Sequence, residues 1–180
     1  KVGHAGTLDP LATGLLLICT GKMTKEISKF QNQLKIYTGT FILGSTTPSF
    51  DQETEIDNYY KINHIDKKLI NSILPNYIGD INQTPPIYSA IKKEGRRLYN
   101  LAREGKKIEI KERKVFVKKF EITKIKLPEI EFLIECGKGT YIRSIANDFG
   151  KSLNSGAHLK NLRRIATGNF KIKNSKKFNF

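Results

Sequence analysis

At 180 residues and 38% hydrophobic content, the chain is long enough to bury a core as one domain. No run approaches the roughly 18 apolar residues of a membrane span, and no signal-peptide pattern opens the chain. A net charge of +15, from 32 Lys and Arg against 17 Asp and Glu, disfavours basic partners and points to a phosphate-rich one.

The first stretch of interest runs from Gly3 to Gly21, GHAGTLDPLATGLLLICTG. Pro10 fixes its own φ and pushes Asp9 out of the helical region, so Asp9 lies in an extended or turn conformation. Asp before Pro is a common turn starter, and a lone His4 is more often packed or solvent-facing than chemical. The alternative is a carboxylate held on a stiff loop, well placed to act as a positioned catalytic group. The apolar run Leu15 to Cys19, bounded by Gly14 and Gly21, predicts a strand buried on both faces.

Met23 to Phe30 has helical spacing, and Lys35 to Gly44 reads as a strand rich in β-branched and aromatic residues. Thr46 to Asp57 is the most acidic part of the chain, a polar loop ill suited to phosphate contact. From Asp66 to Tyr77 the pattern predicts an amphipathic helix capped by Asp66, with Leu69, Ile70, Ile73, Leu74 and Tyr77 on one face. Pro85-Pro86 breaks the chain before a predicted strand, Tyr88 to Lys92. A turn at Glu94-Gly95 then leads to a predicted helix, Arg96 to Glu104, stopped by Gly105.

Residues 91–120 carry 12 Lys or Arg against 4 Glu, more than half of the total excess. That clustering favours a binding surface over a uniform compositional habit. Val115 to Ile125 predicts a strand, and Ile130, Phe132, Ile134 and Cys136 alternate as one face of another. In the last predicted helix Thr140 is the expected N-cap, and Ile142, Ile145, Ala146, Phe149 and Leu153 form its buried stripe. Arg143 therefore sits in the first turn, against the positive end of the helix dipole, at a cost of up to about 1 kcal/mol. A carboxylate should compensate, and Asp9 fits. Such a pair would also keep Asp9 ionised at neutral pH.

Cys19 and Cys136 lie in predicted apolar strands without metal-ligand spacing. They read as buried hydrophobes in a reducing compartment such as the cytoplasm. No clustered His/Cys set or Gly-rich nucleotide loop is present, so no metal and no cofactor are expected. The basic stretch 171–180 is expected to be a weakly ordered tail, with Phe178 and Phe180 able to dock.

Three stretches together resemble the TruB family of bacterial tRNA pseudouridine synthases. They are GHAGTLDPLATGLLL, then QTPPIYSAIK with RRLYNLAREG, and KGTYIRS followed by GAHL and LRR. The resemblance spans residues 3 to about 170. It implies an α+β fold around a largely antiparallel sheet, with residues 1–170 as the catalytic domain. It also implies isomerisation of one uridine in the T-loop of tRNA, position 55, by a monomer.

That reaction breaks an N-glycosidic bond and rejoins the base through carbon, with no redox change or phosphate transfer. It needs an anionic group, a proton path and a base taken out of its stack. Carried over, Asp9 is the nucleophile and Arg143 its partner. Tyr37 stacks on the base, Tyr141 and Leu162 line the pocket, and His4 contacts RNA beside the flipped nucleotide. For Tyr37 and Leu162 taken singly, core packing is an equal alternative. Lys92, Lys93, Arg96, Arg97, Arg103, Arg163 and Arg164 are the candidate phosphate contacts. Rival readings are a non-catalytic RNA-binding or RNA-chaperone module of the same fold and a hydrolytic N-glycosylase.

The chain begins inside the family's pattern, without the usual preceding segment carrying Lys-Pro and Thr-Ser, so a fragment lacking a supporting strand is expected. Gly137 stands where serine is common and Thr54 where glycine is common. No accessory RNA-binding domain is evident after residue 170.

Overall fold

The computed structural model describes residues 1–89 and 110–177, together with the backbone of 92–93 and 96–97. Strand β1 (Val2–His4) enters a loop that carries Asp9 and then forms β2 (Ala12–Gly14) and β3 (Ile18–Thr20). The expected doubly buried strand from Leu15 to Cys19 is not there. Leu15 and Cys19 are buried, but Leu16 and Ile18 are exposed, and the run is divided between two partners. Gly14 causes the division. Its φ is +107°, and a Cβ there would run into the Arg164 backbone. The chain turns at that point, and Leu15 N–H donates to the Arg164 carbonyl at 2.8 Å. Gly14→Ala is expected to cost about 1–3 kcal/mol from the backbone alone, with overlap added, and to show as a lowered Tm.

A 3-10 turn (Gly21–Glu26) continues into α1 (Ile27–Asn32), as the helical spacing from Met23 predicts. Strand β4 (Lys35–Leu43) follows, then the short pair β5 (Ser45–Thr46) and β6 (Asn58–Tyr59), which brackets the acidic loop. Helix α2 (Lys67–Ile73) is capped as expected, the Asp66 carboxylate accepting the Leu69 N–H at 2.7 Å. Pro75 tightens its continuation into a 3-10 turn through Tyr77.

Strand β7 (Gly79–Gln83) precedes the prolines, whereas the predicted strand Tyr88 to Lys92 has no regular structure over 87–89. The predicted helix from Arg96 is corrected at its start. Lys92–Lys93 (β8) pairs antiparallel with Arg96–Arg97 (β9), and the predicted turn at 94–95 lies outside the described residues. The rest of that helix lies outside the described residues, as do Phe178 and Phe180.

Strands β10 (Arg113–Lys126) and β11 (Glu129–Cys136), helix α3 (Ile142–Ser152), β12 (Ala157–Thr167) and β13 (Phe170–Lys171) complete the described chain. The main sheet runs β13-β12-β4-β11-β10-β7, with β2 added parallel on β12 and every other ladder antiparallel. The fold is therefore the mixed α+β arrangement around a largely antiparallel sheet. The alternation in β11 is as read, with Ile130, Phe132, Ile134 and Cys136 all buried. They pack with Phe41, Phe120 and Tyr77 against the α3 stripe, centred on Phe149. Because that stripe faces the sheet, α3 is held by its flank, and its N-terminus is aimed at the Asp9 loop.

Candidate active site

Three elements meet at the Asp9 loop. The loop is strapped to the sheet by Arg164, whose Nε–H donates to the Leu15 carbonyl at 2.7 Å and whose Nη2 donates to Gly6 O at 3.0 Å. Helix α3 is placed by Gln83, which is 1% exposed. Its Oε1 accepts the Tyr141 N–H at 2.8 Å and its Nε2 donates to Tyr141 O at 3.1 Å. The helix thus starts one residue later than expected, with Tyr141 as an N-cap held by an amide from another strand and not by Thr140. Ser144 Oγ donates to Thr84 O at 2.7 Å and ties the first turn down again.

These ties bring Arg143 to Asp9. The buried guanidinium donates from Nη2 to Asp9 Oδ1 at 2.8 Å, so the carboxylate expected beside the first-turn cation is Asp9. A second carboxylate joins it. Asp51 Oδ2 lies 3.4 Å from Nη1, which also faces Ser49 O at 3.3 Å. Asp51 is buried, held inward by the Thr47 and Ser49 hydroxyls, which donate to its backbone carbonyl at 2.6 and 3.2 Å. Sequence reasoning treated its loop as merely acidic and missed it.

The pair does not depress the Asp9 pKa. Burial, the largest influence, pushes the carboxyl above its ordinary 3.8, and Asp51 and Glu53 add to the rise, while Arg143 pulls the other way. The fold therefore favours neutral Asp9 relative to the open chain. The stability linked to this group is present below 3.8 and is lost as pH rises through the raised value. In a carboxyl-carbon NMR titration, Asp9 is expected to titrate above 3.8 in the wild type. Asp51→Asn is expected to bring it down, because it removes a like charge and leaves Arg143 to Asp9 alone. Cys136, by contrast, is inert: burial pushes its thiol up to about 12.

Asp9, Tyr37, Tyr141, Arg143 and Leu162 all line one cleft of about 550 Å³, within the range that takes a small ligand. Lys35, Glu53, Tyr88, Ser89 and Arg164 line it too. Burial pushes the Tyr37 phenol up from its ordinary value, so it stays neutral there. The Tyr141 ring lies under the Arg113 guanidinium, 5.0 Å from its centroid.

His4 is not among the lining residues; it ends β1 on the exposed surface. Arg163 is exposed and within 3.4 Å of Thr13 Oγ1. Arg164, expected at the surface for phosphate, is corrected: it is 1% exposed and spent on the loop carbonyls. Lys92, Lys93, Arg96 and Arg97 sit on the paired strands β8 and β9, and Arg103 lies outside the described residues.

Residues 1–142 match the family described as TruB family pseudouridylate synthase (N terminal domain). The chain belongs to the TruB family. Among TruB relatives, the tRNA pseudouridine synthase B of Flavobacterium johnsoniae is 60% identical over 175 residues, covering 97% of this chain and 76% of that protein. The enzyme of the same name from Phocaeicola vulgatus is 51% identical over 172 residues, covering 96% and 73%. The fold is also that of a chain in a crystal structure of a Cbf5-Nop10-Gar1 complex, with a TM-score of 0.70 and 27% identity. That match covers 95% of this TruB chain and 41% of the solved one, so the chain spans about two fifths of its length.

Proposed function

We propose that this chain converts a uridine in the T-loop of tRNA to pseudouridine, with Asp9 as the nucleophile. The observation that carries the reading is the 2.8 Å pair of Asp9 with Arg143 at the mouth of the cleft. A carboxylate fixed by a guanidinium, one third exposed and beside an aromatic ring, suits attack on a nucleotide lifted from its stack. Tyr37 stacks on the base, and Tyr141 and Leu162 close the pocket. His4, exposed at the end of β1, contacts the RNA beside the flipped nucleotide.

Residues 1–170 form the catalytic domain and 171–180 a basic tail, acting as a monomer in the cytoplasm. Lys92, Lys93, Arg96, Arg97, Arg103 and Arg163 supply the phosphate contacts. RNA loops of this kind are read by shape and by unstacked bases. Six such contacts imply that T-arm affinity falls about 10³-fold between 50 and 200 mM salt. A flat response in a filter-binding titration would remove the basic surface from the reading.

The test is to incubate the full-length protein with an unmodified T-arm transcript and map the products. One C-linked uridine in the loop is expected. RNA bound but unchanged would favour the RNA-chaperone reading, and free uracil a glycosylase.

A further inference from the structure

The cleft contains a cation that the pairing of Asp9 with Arg143 does not use. Lys35 opens β4, is only 6% exposed, and lines the cleft with Asp9 and Tyr37. Its ammonium donates to the Gln31 carbonyl and, at 2.6 Å, to the Gln33 carbonyl at the end of α1. Two of its three N–H groups are thereby engaged. Among the described residues no carboxylate lies within ion-pair distance of it.

The groups that act on Lys35 are the Arg164 and Lys138 cations, from β12 and from the loop after β11, and the buried neutral thiol of Cys136. Burial is the larger influence, and with the two cations it holds the ammonium pKa below its ordinary 10.5. An ammonium out of water beside a guanidinium is costly without an anion. Closing a helix C-terminus does not require one, since backbone N–H groups serve.

We propose that Lys35 is a catalytic group of the reaction proposed above, its ammonium stabilising the uracil ring as an anion while the base is detached from the sugar. The inference rests on that reading. When the C1′–N1 bond breaks, its electron pair stays on the base, spread over N1 and the two carbonyl oxygens. C1′ is taken by the Asp9 carboxylate as an ester, whose C1′–O bond breaks, returning its electron pair to the carboxylate, when the base comes back. Lys35 donates a hydrogen bond to a ring carbonyl and keeps its proton. The ring turns, C5 supplies the pair for the new C1′–C5 bond and loses its proton to solvent, and N1 takes one up. The composition is unchanged, and no oxidant or cofactor enters.

The test uses the complete native chain and a T-arm transcript tritiated at uridine C5, followed by tritium release in single turnover. Lys35→Met is expected to slow conversion about 10²–10³-fold, the usual loss on removing one preorganised donor. Its T-arm Kd should stay within about twofold of the wild type, and Lys35→Arg should keep most of the rate. Wild-type conversion should also fall on the alkaline side below pH 10.5, as Lys35 loses its proton, and Lys35→Arg should move that limb upward.

An unchanged rate in Lys35→Met, or a rate loss matched by the loss of affinity, overturns the proposal. If Lys35→Met fails to fold, the Lys35→Arg profile decides, and an unmoved alkaline limb overturns it. A wild-type chain that releases no tritium defeats the functional reading itself. Release by the wild type with an intact rate in Lys35→Met defeats only the role of Lys35.

Discussion

Asp9→Ala is expected to abolish pseudouridine formation, by a factor of at least about 10⁴, the scale seen when a catalytic nucleophile is removed. T-arm affinity should change by less than about threefold, because the phosphate contacts lie elsewhere. The variant should also fold. Burial works against the ionised Asp9 carboxylate, so the native state loses no favourable solvation when it goes. Arg143 is not orphaned either, since Asp51 and the Ser49 carbonyl remain 3.4 and 3.3 Å from its Nη1. Single-turnover conversion, a binding isotherm and a thermal melt together decide. Retained conversion would remove Asp9 from the chemistry. A parallel loss of affinity would make the loop a binding element only.

The parts of this site that could be read from sequence are those carried by regular periodicity. Alternation in β11 and the 3.6-residue stripe of α3 are undisturbed, so the helix that delivers Arg143 was legible, together with its need for a carboxylate. Strand β12 was not recognised as a strand, although it lies beside β4, β13 and β2. Irregularities between Leu159 and Asn161 and between Arg164 and Ala166 break its alternation. The consequence falls on two adjacent arginines. Without a strand, nothing tells Arg163 from Arg164, yet one faces solvent and the other straps the Asp9 loop. Strand β7 hid for a different reason: it is an edge strand with Ile81 as its one large apolar residue. Asp51 gave no local signal at all. Its inward direction comes from hydroxyls in a polar loop and from a bridge to Leu159, a contact more than a hundred residues away.

Arg143→Met should be the more damaging change to the fold. It leaves two carboxylates, Asp9 and Asp51, converging on a buried space with no cation between them. Breaking a buried ion pair from one side costs about 3–5 kcal/mol. Here the cost depends on pH, because burial and the Asp51 charge already raise the Asp9 pKa and nothing opposes them once the guanidinium is gone. In the variant neutral Asp9 is the form the fold tolerates, so the stability linked to this group is present below 3.8 and is lost as pH rises through its raised value. Urea unfolding at pH 5 and pH 8 is therefore expected to show a larger deficit at pH 8. Arg143→Lys keeps the charge, but a single ammonium cannot reproduce the fork that spans both acids at 2.8 and 3.4 Å, so activity should fall while much of the stability returns. A deficit equal at both pH values would mean that Arg143 acts through packing alone. In that case the Asp9 carboxylate would be positioned by its own loop and by Arg164, not by the helix.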